Sequence, residues 1–580
     1  MKRYYLLLIL FVISFGGTAQ DLQTAYEKSG FVECGSYEEV MDLCQKFDEI
    51  FPEVTYRSFG KSGRQHDLPL LVVDKDGLSS AGEIHNSGRT ILMVQASIHA
   101  GEPDGTSAGM MFVRDLLQNK GMKQLLNEVS LVYLPVFNVD GYLRRSAYNR
   151  INQEGPEEMG WRTSADNINL NRDFVRSETV EMKHWHAMFE RWMPDFFIDC
   201  HTTDGADYQY AITYDLPVYG NMNPDQTAWV RDKYLEPLKQ SMAEDGFPMF
   251  RYVSFRNWHD HESGLTAWIS SPDLAQGYTT VKNRPGFLVE THMLKSYKQR
   301  VEATYQALEK SMELLVRHGN ELQELNQAAD EHTASENFRS QPYPVRWKAS
   351  DEYREIDFLG IEYTKKTSPI TGGTYFHYGE KPRTHKMKFY DDMQAVVMAD
   401  VPEAVIIPPE WEKVIERLDI HGINYHRLEA DESYEVRQYR FKDVTFADGP
   451  FEGAYRLADF TMDTLQREQV FPAHSAYVSL DQKNAKLIVH LLDPSAPGSV
   501  LRWGFFNAIF EQKEYAEVYK MEEMALQMLK ENPDMKKSFE KWLDANPGAK
   551  DSHWQMMNWF YQQTQYWDDR KDLYPVGFVF

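Results

Sequence analysis

Apolar residues recur along this chain at two spacings. Residues 91–94, 129–137, 196–200 and 287–290 form short, nearly unbroken apolar runs, the pattern of strands buried on both faces. Between them, residues 37–50, 106–117, 178–193, 223–245 and 298–328 carry apolar positions at helical spacing. Val40, Met41, Cys44 and Phe47 form such a stripe, with Ser36 placed to cap it. Residues 55–58 and 68–73 add two strands, and Gly60 and Gly63 mark the turn between them. Strands alternating with helices predict an α/β layer around a largely parallel or mixed sheet.

At residues 329–343 the pattern lapses into polar sequence containing Ser and Pro, which reads as a linker. The organisation expected is a leader over 1–19, a first domain over 20–328, that linker, and a second domain over 344–580. In the second domain, residues 345–363 and 395–407 are strand-like. Pro408-Pro409 opens a helix with Trp411, Val414, Ile415 and Leu418 on one face, ended by Gly422. Residues 513–542 read as helical, and the aromatic tail from Trp554 to Trp567 reads as core. The whole is a smaller mixed α/β or β-rich domain in which the sequence shows no metal-ligand cluster and no role.

Composition narrows the function. At 580 residues and 42% hydrophobic, the chain can build more than one core. Its net charge of −25 disfavours nucleic acid and anionic membranes as partners. Lys2-Arg3, the apolar stretch 6–15 and the small residues Gly17-Thr18-Ala19 read as a signal peptide. No later stretch of about 18 apolar residues follows, so an exported protein, periplasmic or extracellular and without stable membrane insertion, is expected. Three cysteines, Cys34, Cys44 and Cys200, are no disulfide framework. Pairing of Cys34 with Cys44, across a helical interval, and the oligomeric state both stay open.

The chemistry gathers at strand ends. The strand at 91–94 runs into Ser97-Ile98-His99-Ala100-Gly101-Glu102-Pro103, where an imidazole and a carboxylate three residues apart can share one metal ion. His-x-x-Glu also occurs at His259/Glu262, in a polar loop, and at His318/Glu321, in a charged helical stretch where a solvated pair is the plain reading. Only the first has a strand–turn–helix context. His201 in Asp199-Cys200-His201 and Glu290 in Leu288-Val289-Glu290 lie at two further strand ends, where ligands of α/β sheets gather. Three ligands and an open position make a catalytic zinc site, and Glu290 is then placed to take a proton from water on the metal. Between them lie Arg162, suited to an oxyanion, and Asn171-Arg172, suited to a carboxylate.

The order His-x-x-Glu, Trp-Arg, Asn-Arg, His, Glu resembles the zinc carboxypeptidases of the carboxypeptidase A/B type, over roughly residues 50–325. That resemblance implies an α/β/α sandwich around a mixed, mostly eight-stranded sheet. It implies one Zn²⁺ per chain on His99, Glu102 and His201, an oxyanion held by Arg162, a substrate carboxylate held by Asn171 and Arg172, and water activated by Glu290. The implied substrate is a peptide with a free C-terminal carboxylate. Two features depart from the family. Asn169 stands where the family has an aspartate that orients a zinc-bound histidine. The family's mobile substrate-binding tyrosine has its nearest match in Tyr278. Two rival readings are a zinc amidase on the same scaffold, acting on cell-wall peptides or acylated amino acids, and a catalytically silent binding protein.

Overall fold

The computed structural model describes residues 22–580, so the expected signal peptide lies outside the described residues. Eight strands form the main sheet: β1 (Val54–Lys61), β2 (Asp67–Val73), β3 (Thr90–Ala96), β4 (Val129–Leu134), β5 (Phe196–Thr203), β6 (Ile212–Asp215), β7 (Met249–Arg251) and β9 (Gly286–His292). Their order is β1-β2-β4-β3-β5-β9-β6-β7. The central four, β4, β3, β5 and β9, run parallel, while β1, β2 and β6 pair antiparallel. Every residue of β3, β4, β5 and β9 is buried, which accounts for their unbroken apolar sequence.

Side chains alternate across this sheet with the period of two that a strand imposes. Leu92, Val94, Phe196 and Ile198 enter a core with the helices Tyr37–Ile50, Asp104–Gln118 and Tyr297–Ala334. Ile91, Met93, Val132 and Phe197 enter a second core on the opposite face, with Trp185 and Phe189 of the helix Val180–Trp192. This second core continues without a break into the C-terminal half, through Val405, Ile415, Leu418 and Ile488.

Two helical expectations differ in detail. Residues 223–245 form one continuous helical rod, but Val230–Leu235 widens into a π-turn just before Pro237. A proline ring cannot fit the i→i−4 ladder, and the wider turn accommodates it. Residues 513–542 split into Val518–Glu531 and Pro533–Ala545 at Asn532-Pro533. The segment read as a linker is helical to Ala334 and again over Glu336–Arg339. Its polar residues form a seam with the sheet: Arg284 and Asn283 both reach Asp330.

The C-terminal half is β-rich. A long hairpin, β11 (Arg354–Thr367) and β12 (Thr374–Tyr390), pairs with the short strand β8 (Leu265–Thr266) of the first half. β10 (Tyr343–Ala349) pairs with β13 (Met393–Ala399). A six-stranded antiparallel sheet contains β14 (Ala404–Ile407), β15 (His426–Arg427), β16 (Glu432–Phe446), β17 (Leu457–Phe471), β18 (Ala476–Ser479) and β19 (Gly577–Val579), in the order β15-β18-β14-β19-β16-β17. All three cysteines are buried free thiols.

Candidate metal centre and cleft

At the carboxyl end of β3 the chain turns sharply through Ser97, held at φ 56. Ser97 Oγ and Thr106 Oγ1 lie 2.8 Å apart, which ties the turn to the following helix. The Glu102 amide donates to the His99 carbonyl, which brings the two side chains to one side. His201, inside β5, arrives from the neighbouring parallel strand. One ligand atom from each of His99, Glu102 and His201 lies within 4.8 Å of the others, and all three residues are buried.

The ring nitrogens separate into inward and outward sets. The Nδ1 atoms of His99 and His201 are 3.1 Å apart, and Glu102 Oε2 lies 3.0 Å from His201 Nδ1. Outward, His99 Nε2 meets Asn169 Oδ1 at 3.0 Å and His201 Nε2 meets Asp199 Oδ2 at 2.8 Å. Acceptors on both outer nitrogens favour protons there and leave the inner lone pairs facing a carboxylate. Such a set is stable only around a positive charge, and two imidazoles with a carboxylate are a donor set that zinc accepts. Burial alone would lower the basicity of His201, but Asp199 and Glu102 outweigh it and hold its pKa well above the usual histidine value. His99 is pushed down to about 3, by burial and then by Arg162. Burial raises Glu102, but His99 and Arg150 outweigh it and hold its carboxyl well below the usual range.

Glu290 comes from β9, in register with His201. Burial raises its pKa to about 8, against the pull of His201. His99, Glu102, Arg150, Arg162, Tyr252 and Glu290 line one cleft of about 400 Å³. Beneath it, Asp104 Oδ2 accepts from Thr202 Oγ1, Thr291 Oγ1 and Arg300 Nε, at 2.6, 2.6 and 2.9 Å. This buried acid locks β5 and β9 to the helices behind them.

The remaining expected residues divide. Arg162 Nη1 lies 3.2 Å from Glu102 Oε1 and keeps 43% of its side chain exposed. Arg172 lies within the field of Arg162, and burial together with that neighbour lowers its pKa. Asn171 is buried: its Oδ1 accepts from the Ala275 amide at 3.1 Å, and its Nδ2 lies 3.5 Å from His201 Nε2. Tyr278 is a correction. It is fully buried, its hydroxyl lies 2.9 Å from His421 Nδ1, and it packs against Phe174 and Trp185, so it does not meet substrate. The tyrosine of the cleft is Tyr252, next to the end of β7, whose hydroxyl accepts from Thr203 Oγ1 at 3.0 Å.

Three residues escaped the sequence reading. Tyr252 directly follows a strand of only three residues, whose apolar signal is faint. Arg150 Nη1 donates to Glu102 Oε1 at 2.7 Å from a loop with no periodicity. Asp199 had a signal, because residues two apart in a strand share a face. The other two His-x-x-Glu pairs gather no cluster of three or more metal-ligating side chains among the described residues. His259 Nδ1 instead lies 2.8 Å from the Tyr378 hydroxyl.

Residues 40–194 match the profile of the zinc carboxypeptidase family. Carboxypeptidase 2 of Trichophyton tonsurans is 23% identical over 469 residues, 77% of this chain and 78% of the relative. Carboxypeptidase 2 of Trichophyton rubrum is also 23% identical, over 77% of this chain and 79% of its own. Among solved structures, a metallo-carboxypeptidase from Pseudomonas aeruginosa aligns with 50% of this chain and 70% of its own, at 17% identity and a TM-score of 0.37.

Proposed function

Because this chain carries a zinc carboxypeptidase domain and is a hydrolase of that class, we propose that it is an exported enzyme that removes residues from the carboxyl ends of peptides. The observation that carries this reading is the register of Glu290 beside His201, which brings an acid to the cleft that His99 and Glu102 line. His99, Glu102 and His201 are the residues that hold one zinc ion. When bound, zinc supplies a Lewis acid and lowers the pKa of water.

The chain's own residues do the rest. With a cation held beside it, which favours the ionised carboxyl over the neutral one, Glu290 takes a proton from the attacking water and delivers it to the departing amine. Arg162 reaches the cleft from its rim and donates to the carbonyl oxygen as negative charge develops there. Arg172, with a fixed fork of donors, pairs with the terminal carboxylate. Asn171 supports it from the wall, where its Oδ1 accepts from the Ala275 amide. Export rests on the leader-like residues 1–19. Among the described residues no helix is long and apolar enough to cross a membrane.

Mass spectrometry of a peptide library incubated with the protein tests this reading. Single residues should leave from free carboxyl ends, and C-terminally amidated peptides should survive. Glu290→Gln should keep zinc and lose most turnover. Cleavage of amidated peptides at an equal rate points to the amidase instead. Full turnover in Glu290→Gln rejects the role of that acid.

A further inference from the structure

The C-terminal half reaches the segment behind the cleft through the loop between β16 and β17, where Glu452 meets Asn169. Within it, Phe451 and Ala454 exchange backbone hydrogen bonds at 2.9 and 3.0 Å across Glu452-Gly453. Glu452 has φ 49 and Gly453 φ 75. Positive φ at both central residues is the type I′ turn, which favours Asn, Asp or Gly at the first of them. A glutamate there is an outlier, and outliers of this kind collect where function over-determines them.

The side chain explains the exception. Glu452 Oε2 accepts from the Asn169 backbone amide at 2.8 Å. Asn169 Oδ1, in turn, lies against His99 Nε2 and accepts from the Asn171 amide, both at 3.0 Å. One residue therefore separates Glu452 from the proposed metal ligand, and Arg172 follows within the same short helical turn, Leu170–Arg172. Glu452 and Asp273 are the acids that offset Arg162 at the Arg172 guanidinium. The turn is itself clamped: Arg176 donates to the Glu452 carbonyl, and Phe451 stacks on Trp503 at 6.0 Å. Trp503 donates to Asp273 Oδ1 at 3.0 Å.

We infer that Glu452 is a positioning residue of the cleft. Delivered by the C-terminal half, its carboxylate pins the Asn169 main chain and so sets His99 and Arg172 for substrate. The Arg172 part of this rests on the carboxypeptidase reading; the hydrogen bond to Asn169 does not.

The test uses the full chain with Glu452→Asn and Glu452→Gln. Asparagine suits the turn but is one methylene too short for the same bond, so Glu452→Asn should unfold at the same temperature as the parent or higher. Its KM for a peptide with a free carboxylate should nevertheless rise about tenfold, the scale of one lost hydrogen bond to a charged group, with a smaller change in kcat. Glu452→Gln keeps an acceptor at full reach and should stay within about threefold of the parent. Hydrogen exchange at the Asn169 amide gives a readout independent of catalysis: slow in the parent and Glu452→Gln, fast in Glu452→Asn. An unchanged KM in an active Glu452→Asn, or an unprotected Asn169 amide in the parent, overturns the inference. Protection of that amide in a parent that releases no C-terminal residue supports the brace and rejects the carboxypeptidase reading.

Discussion

Asp199 Oδ2 lies 2.8 Å from His201 Nε2, at the ring nitrogen turned away from Glu102. The other histidine of the centre leans on the neutral Asn169. The charged partner thus belongs to His201, and Gln95 Nε2 secures it by donating to Asp199 Oδ1 at 3.0 Å. A carboxylate raises ligand basicity more than an amide does. Asp199→Asn should weaken zinc binding about ten- to a hundredfold, read by competition with a chelator. Asn169→Asp, which adds charge on the His99 side, should shift the same titration the opposite way.

Arg172→Gln should raise KM about ten- to a hundredfold for peptides with a free carboxylate, the scale of hydrogen bonds between charged groups. Whatever slow cleavage amidated peptides undergo should stay unchanged. Paired kinetics on the two substrates check this. Equal losses on both would assign Arg172 to the reaction rather than to the carboxylate.

Trp185 is fully buried, stacks on Phe189 at 4.7 Å, and donates Nε1–H to Gln95 Oε1 at 2.7 Å. Trp185→Ala should cost about 3–5 kcal/mol through the cavity it opens. It also strips a donor from the Gln95–Asp199–His201 chain. The denaturation midpoint should fall, and zinc affinity should fall with it.

Between the two halves lie three buried histidines whose pKa values burial depresses. His421 drops to about 3 and His490 to about 4, and His186 goes well below its ordinary value. Well above pH 7 none binds a proton in either state, and near pH 7 the unfolded chain holds only a minor fraction of one on each, so their effect on stability there is small. Below the ordinary value of about 6.5, the unfolded chain takes up protons that the folded chain refuses. Stability then falls as pH drops toward about 3–4, by at most about 1.4 kcal/mol per pH unit for each histidine. Unfolding free energy measured from pH 7 to pH 4.5 should show this slope. His421→Asn should reduce it by up to one proton.

The first half of the fold was legible because β3, β5 and β9 are buried on both faces and end in polar residues. His99, Glu102, His201 and Glu290, which the structure brings together, lie at or just beyond those strand ends, where polar residues stand out against apolar runs. Tyr278 misled because the family's motif suggests a tyrosine in that stretch, whereas the residue faces an apolar core that only the C-terminal half completes. Arg150 and Glu452 act across loops, and nothing in local spacing announces a contact such as that between Glu452 and Asn169, 283 residues apart. The second half was harder to read because β11, β12 and β17 are exposed along much of their length, so their patterns alternate weakly.

β19 lies between β14 and β16, flanked by strands synthesised well over a hundred residues earlier. A ribosome reading this message leaves a vacant slot in that sheet until residue 579 has emerged. A premature stop codon upstream of Gly577, even one that spares every residue of the cleft, yields a polypeptide with two raw β-edges, the kind of surface that recruits chaperones or seeds aggregates.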